Sequence, residues 1–396
     1  MLGRYATELV ISFAVSYLAV RFLDPIVRRY GWLDHPRGRK DHAHPTPVTG
    51  GLAIILGVLA VMPMLRPLPE GALVVTFCLG ALLLLVTGGL DDLYDLPWIP
   101  RVAAQCVAAL ILVYIGGVRA EHIGPFDDGT MIALGNLSVP FTVFITVGII
   151  NAVNMADGSD GLAGSLALTS LLMLAAASAY AGNDTLIGRI VPFIGAVAGF
   201  LVMNVRHRWQ PHARVFLGNS GSAIIGFTLA WLAIRVSHTP GHPVSSILVP
   251  WLMAPALIDC VTLMGRRLLE HRSPFSADRG HMHHLLLDAG YSPSQVARIL
   301  AGLSLAFGLA AAKALYLNVR PSLLVVAFVA LIAAHYWFTA DRTRAVRFLA
   351  LLRTRAADAA DDGLIVAHLN SYSTKSALVL ADKAGELLRR FFRTRR

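Results

Sequence analysis

Apolar residues in this chain come in blocks, and each block is close to the length that crosses a bilayer. Eleven such stretches run over residues 5–23, 48–65, 71–89, 103–118, 138–153, 161–181, 188–204, 215–235, 245–265, 295–313 and 321–338. A helix needs about 20 apolar residues to span the hydrocarbon. Irregular backbone in lipid would leave peptide groups without hydrogen bonds, so the spans are expected to be helices. Only 15% of the 396 residues are charged, which is low for a soluble domain of this size. The expected fold is an all-α polytopic membrane protein of about eleven transmembrane helices. Residues 1–338 would form the transmembrane domain and 339–396 a basic tail. The N-terminal block lacks a small-residue cleavage site and reads as a retained anchor.

An odd number of spans puts the termini on opposite sides. The loops at 24–47, 90–102, 154–160, 205–214 and 266–294, together with the tail, hold most of the Arg and Lys, including Arg28, Arg37, Lys40, Arg101, Arg206, Arg266 and Arg279. The opposite loops hold Arg66, Arg119 and little else. The positive-inside bias therefore places the first set in the cytoplasm and the N-terminus outside. The net charge of +10 then reflects orientation and anionic lipid, and no nucleic-acid partner is expected. Cys78, Cys106 and Cys260 lie far apart in apolar segments and read as small core residues. The outer loop at 119–137 has turn residues between short apolar runs, which suits a small hairpin. In the tail, Ala377, Leu380, Ala384, Leu387, Leu388 and Phe391 recur at helical spacing. A helix on the inner leaflet and a disordered tail both accommodate that pattern.

Five polar clusters fall in the cytoplasmic set. Asp91, Asp92 and Asp95 follow a long apolar block; Asp91 and Asp95 share a face if the helix continues. Carboxylates at that depth call for a metal, a cation or water, although a solvated helix end is the plainer reading. In the segment 151–164, Asn154, Asp157 and Asp160 recur at i, i+3, i+6 among glycines. Such groups can meet a nucleotide and a metal, or simply cap the next helix. Phe216-Leu217-Gly218-Asn219-Ser220-Gly221-Ser222 opens the eighth span, where helix N–H groups suit phosphate; small-residue packing is the alternative. Arg279, His281, His283 and His284 can grip a pyrophosphate or a metal, or form a solvated basic loop. Asp34, Lys40 and His42 lead to Pro45-Thr46-Pro47 and Gly50-Gly51, and could meet a lipid phosphate or supply only inside charge.

Taken in order, these clusters closely resemble one family, the polyprenyl-phosphate N-acetylhexosamine-1-phosphate transferases of membranes. The match consists of Asp34…Arg39-Lys40-x-His42…Pro45-x-Pro47…Gly50-Gly51, then Asp91-Asp92-x-x-Asp95 with Arg101 and Gln105. It continues with Asn151-x-x-Asn154-x-x-Asp157-Gly158-x-Asp160-Gly161-Leu162-Ala163, Phe216-Leu217-Gly218 and His281-x-His283-His284. The spaced histidines after Ser-Pro-Phe-Ser-x-Asp-Arg are similar to the branch that uses UDP-N-acetylglucosamine rather than a peptidoglycan precursor. The resemblance implies transfer of N-acetylglucosamine-1-phosphate to undecaprenyl phosphate, with Mg²⁺ or Mn²⁺ as cofactor, at the cytoplasmic face of a bacterial inner membrane. A homodimer is compatible with it.

Carried over by resemblance, Asp91 and Asp92 handle the acceptor phosphate, and Asn154, Asn219 and Asp95 surround the metal. Asp157 and Asp160 bind nucleotide or support the metal site, Arg279, His281, His283 and His284 hold the diphosphate, and Lys40 and His42 touch substrate. One position departs. The family pattern has aspartate where this chain has Asn219, and that aspartate is a principal metal ligand. Asparagine keeps a carbonyl oxygen but removes a full negative charge. An engineered change, a natural variant of altered metal affinity and a homologue without activity all fit. Another donor sugar, or a partner without catalysis, are the remaining readings within the family. A transporter would place its ionisable groups deep in several helices and show internal repeats, and neither pattern is present.

Overall fold

The computed structural model describes residues 2–34, 45–65, 71–241, 244–276 and 278–361. Thirteen α-helices appear among them. In order they are α1 (Leu2–Tyr30), α2 (Gly50–Val61), α3 (Gly71–Tyr94), α4 (Trp98–Tyr114), α5 (Ser138–Ala156), α6 (Leu162–Tyr180) and α7 (Asp184–Asn204). Then follow α8 (Gly218–His238), α9 (Ala254–Leu269), α10 (Met282–Asp288), α11 (Pro293–Tyr316), α12 (Pro321–Ala340) and α13 (Arg342–Asp361). Two two-stranded antiparallel ribbons complete the described fold. β1 (Leu33–Asp34) pairs β2 (Thr46–Pro47), and β3 (His122–Ile123) pairs β4 (Ile132–Ala133). The second ribbon is a hairpin of the kind expected within residues 119–137. The first was not expected.

Eight helices are long and apolar enough to cross a membrane: α1, α3, α5, α6, α7, α8, α11 and α12. The chain is therefore an all-α polytopic membrane protein. The shorter apolar helices α2 and α4, and the amphipathic α9, occupy three other predicted stretches. In the ninth stretch, residues Val249–Met253 form a 3₁₀ turn and the α-helix begins only at Ala254. Pro250 and Pro255 lack the N–H that an α-helix would need there, which shortens it. The tail pattern from Ala377 to Phe391 lies outside the described residues.

Helix α8 is the axis of the bundle. Every residue from Ser220 to Ile234 is buried, with α3 and α5 flanking it and α2, α4 and α6 adding contacts. Lipid tails are as apolar as leucine, so close approach rather than the hydrophobic effect draws such helices together. Gly88 shows how tight that approach is: a Cβ placed there would lie 2.4 Å from Ser220 Cα. Helix α1 runs along α7 and α2, α6 along α7 and α11, and α9 between α5 and α12. The outer faces of α11 and α12 leave Leu303, Leu305, Leu309, Val326 and Val329 exposed. In water such a surface would be a liability, but against acyl chains it is the expected exterior.

A second, smaller apolar core lies at one end of the bundle. It joins Leu285 and Leu286 of α10, with Ala289 just after it, to Val296, Ala297 and Leu300 of α11, Leu162 and Leu166 of α6, and Ala345 and Leu349 of α13. This core seats the short histidine-bearing helix beside the ends of α3, α5 and α8, where the polar clusters meet.

Candidate active site

The floor of the site is where α3 ends against the start of α8. The first N–H groups of a helix have no partner inside it, and a carboxylate both bonds them and complements the helix dipole. Asp92 does this in trans: its Oδ1 accepts from Asn219 N at 2.8 Å, and its Oδ2 from Ser220 N and Oγ, each at 3.5 Å. Gly218 makes room with a φ of +75°, and a Cβ there would fall 2.8 Å from Asp92 Oδ2. The expectation of free N–H groups awaiting phosphate at this helix start is thus corrected, since an internal carboxylate takes them. Asp91 turns elsewhere, is buried, and pairs with Arg101 Nη1 at 2.9 Å. The idea that Asp91 and Asp95 share a helix face also fails. Helix α3 stops at Tyr94, and Asp95 is exposed with a φ of +50°.

Above the floor lies a layer of amides. Asn154, near the end of α5, donates through Nδ2 to Asn219 Oδ1 and to Ser222 Oγ, both at 2.9 Å. One turn earlier, Asn151 donates to Gln105 Oε1 at 2.7 Å and tethers α5 to α4. Asp157 follows α5 directly and is half-buried. Its carboxyl is pushed up to about 8, first by burial and then by repulsion from Asp92, Asp160 and Asp34. Asp160 faces the other way, accepting from Arg206 Nε at 2.5 Å and Ala213 N at 3.2 Å. Asn204 fixes the intervening turn, accepting from Gly161 N at 2.9 Å and donating to Val215 O at 2.8 Å.

The opposite wall is basic and carried by α10 and the loop before it. Arg279 and His284 line the cleft. His281 and His283 stand behind them. His281 Nδ1 lies 2.8 Å from Asp259 Oδ2, and His335 Nε2 lies 3.2 Å from Asp259 Oδ1. His283 is 3% exposed and rests on Gly158, where a Cβ would be 2.2 Å from its Nε2. Burial, then the neighbouring imidazoles of His284 and His281, lower the His283 pKa to about 3, so its ring is neutral. Arg267 donates to Asp278 Oδ2 at 2.8 Å and to Pro274 O at 2.6 Å, holding the loop down. Arg342 of α13 donates to Arg279 O and to the Asp288 carboxylate.

Between floor and wall lies a cleft of about 650 Å³. Of the residues singled out in the sequence, Asp34, Asp91, Asp92, Asp95, Asn154, Asp157, Asp160, Asn219, Arg279 and His284 line it. Lys40 and His42 lie outside the described residues. Sequence reasoning counted Arg206 only as a loop charge and passed over Asp259, Asp288 and His335. Asp259 and His335 carried a signal nonetheless, since each is an ionisable residue within an otherwise apolar stretch.

The cleft suits a hard divalent cation. Carboxylates of Asp92 and Asp157 and the amide oxygens of Asn154 and Asn219 form an oxygen set of the kind Mg²⁺ and Mn²⁺ take. Their mutual repulsion, visible in Asp157, is what a cation would relieve. Asp259, His281 and His283 also bring ligand atoms within 4.8 Å of one another. There the Asp259 carboxylate also accepts from three donors, Met282 N among them at 3.0 Å.

A second cavity, about 660 Å³ and almost wholly apolar, runs between α5, α8, α9 and α12. Phe141, Phe144, Trp251, Val325 and Phe328 are among its walls. Phe275 and Asn151 line both this groove and a small pocket of mixed lining that includes Asp91, Arg101, Asn154 and Asn219. Trp98 stacks on Phe275 with ring centroids 4.9 Å apart. The small pocket lies between the two: it shares Asn151 and Phe275 with the groove, and Asp91, Asn154 and Asn219 with the cleft.

Comparison with known proteins adds the family. The sequence model described as glycosyl transferase family 4 matches residues 74–237, from α3 to α8. A protein of Yersinia pestis is 30% identical over 291 residues, covering 73% of this chain and 79% of its own length. Proteins of Escherichia coli (strain K12), 29% identical over 290 residues, and Haemophilus influenzae, 28% over 288 residues, cover 73% of this chain and 78% and 81% of their own lengths. All three are named undecaprenyl-phosphate alpha-N-acetylglucosaminyl 1-phosphate transferase.

Proposed function

The chain belongs to glycosyl transferase family 4, and from that premise we propose that it transfers N-acetylglucosamine-1-phosphate from UDP-N-acetylglucosamine to undecaprenyl phosphate. The products are undecaprenyl-diphospho-N-acetylglucosamine and UMP, which begins assembly of a lipid-linked glycan. An oxygen of the acceptor phosphate bonds to the β-phosphorus of the donor, and the oxygen bridging the α- and β-phosphorus atoms leaves with UMP. The observation that carries this reading is one cleft with an acidic and amide floor and a basic wall, with a small pocket between it and an apolar groove.

Two anions must meet here, so positioning and charge compensation dominate. The acceptor phosphate is ionised at neutral pH and needs little general base. Its isoprenoid tail lies in the groove walled by α5, α9 and α12, and its head passes Phe275 to reach Arg101. Asp91 holds that guanidinium in place. Arg279 and His284 receive the donor diphosphate from the opposite wall. Asp160, fixed by Arg206, shapes the nucleotide end of the cleft. Asp92, Asp157, Asn154 and Asn219 would hold Mg²⁺ or Mn²⁺, with Asp95 at the rim. The cation would screen the repulsion between the substrates and stabilise charge developing on the β-phosphate.

In this reading eleven helices cross a bacterial inner membrane, the N-terminus is outside and the cleft opens to the cytoplasm. The Arg and Lys distribution and the gathering of the polar clusters at one end support it. One chain supplies every group that the reading uses. Asn219 favours a second reading, an impaired homologue, because its Oδ1 accepts from Asn154 where the family pattern has an ionised ligand. Purified protein with labelled UDP-N-acetylglucosamine, undecaprenyl phosphate and Mg²⁺ separates the two. Labelled lipid product together with UMP is expected. No product at any Mg²⁺ or Mn²⁺ concentration would overturn the enzyme reading.

A further inference from the structure

We propose that His335 and Asp259 are positioning residues that set the height and rotation of the histidine helix α10, with His281 as its anchor rather than a substrate contact. The inference rests on the proposed reaction for its kinetic consequences but not for its structural ones.

Asp259 sits in α9 at 9% exposure. A carboxylate buried so far from water must be fully hydrogen-bonded. Three groups supply the bonds: His281 Nδ1 at 2.8 Å, Met282 N at 3.0 Å and His335 Nε2 at 3.2 Å. Two of the three come from the start of α10: its first residue, Met282, and its N-cap, His281. Asp259 thus caps that helix from outside while gripping the ring that precedes it. Bonding to Asp259 fixes the proton of His281 on Nδ1.

His335 is the outer support. It comes from α12, and α12 is itself fastened to α9 by Arg266. That guanidinium donates through Nη2 to Thr339 Oγ1 at 2.8 Å and Tyr336 O at 2.9 Å, and through Nη1 to Thr339 O at 3.2 Å. Thr339 Oγ1 in turn donates to His335 O at 2.8 Å. The chain of contacts runs α12, Asp259, His281, and then one turn along α10 to His284 at the cleft. Helix α10 has only seven residues, too few to hold its orientation alone. Without His335, Asp259 keeps its charge but loses a donor, and the buried carboxylate is free to draw His281 toward a new position. His284 and Arg279 then meet the diphosphate from a displaced base.

His335→Ala is the test, with His335→Gln as the rescue, because the glutamine amide can return an N–H near the position of Nε2. A displacement of about an ångström costs on the order of tenfold or more. His335→Ala is therefore expected to raise the KM for UDP-N-acetylglucosamine about tenfold, to change kcat far less, and to leave the KM for undecaprenyl phosphate near wild type. His335→Gln should recover most of that loss. Hydrogen–deuterium exchange on the substrate-free protein should rise within residues 282–288 for the alanine variant and return for glutamine. The idea is overturned if exchange in α10 is unchanged in His335→Ala, or if glutamine behaves as alanine does. It is equally overturned if kcat falls while the donor KM holds. Since exchange is read without substrate, a wild type lacking transfer activity would sink the proposed reaction and still leave the anchor to be judged.

Discussion

Replacing Gly158 with alanine tests whether the acidic floor and the histidine wall are one packed unit. The added methyl would stand 2.2 Å from His283 Nε2, 2.8 Å from Cε1 and 3.1 Å from Cδ2. Carbon–nitrogen contact is comfortable near 3.5 Å, so the ring must retreat by more than an ångström. It has nowhere to go: His283 is 3% exposed and its ring lies 4.2 Å from that of His284 and 5.3 Å from that of His281. Overpacking of this kind costs about 1–3 kcal/mol, which lowers the midpoint of thermal unfolding by several degrees. The same push moves His284, so transfer activity should fall at least tenfold. Thermal midpoints of Gly158→Ala, His283→Ala and the double variant in one detergent provide the cycle. Removing the ring makes room for the methyl, so the double variant should be more stable than the sum of the two losses predicts, by about 1 kcal/mol or more. Strict additivity would show that the two residues do not press on each other, and the packing argument would fall.

Asp91→Ala and Asp92→Ala should each abolish sugar-phosphate transfer while the protein still inserts and elutes as wild type; near-normal turnover in both would remove the acidic floor from the mechanism. Asn219→Asp should raise activity and lower the Mg²⁺ concentration needed for half-maximal rate, and an unchanged Mg²⁺ titration would count against a cation there. Acid should destabilise the protein through His283. Its neutral form is the native one, with a pKa about 3 against 6.5 when unfolded. That contribution is complete above pH 6.5 and is lost as pH falls toward 3, on the order of 4 kcal/mol at the acid end. His283→Asn should flatten the acid limb of midpoint against pH, and an unaltered limb would refute the assignment.

Much of the architecture was legible because lipid imposes so few solutions. A block such as 71–89 can only be a helix, and it is one. The polar clusters were also legible as a set, since each follows or precedes a span on the side rich in arginine. What escaped was direction. Asp91 and Asp95 look like one helical face only if α3 continues, and it stops at Tyr94. The start of α8 looks like an anion site, yet its anion is Asp92, from a helix more than a hundred residues earlier in the chain. His281, His283 and His284 look equivalent in a row of letters. The fold turns one outward, seats one on Gly158 and ties one to Asp259. Helices α10 and α13 were missed because both owe their place to the small apolar core they share, and α13 carries too many arginines to register as apolar.

Phe275 belongs at once to the greasy channel and to the small antechamber beside Asp91, and that shared doorway has a consequence for traffic. On the proposed reading the polyprenyl phosphate need never be lifted into solvent, because whatever part of its tail exceeds the groove stays dissolved among the phospholipids. Such an enzyme should be nearly indifferent to tails longer than the channel, and it should discharge its enlarged product sideways, back into the bilayer that delivered the acceptor.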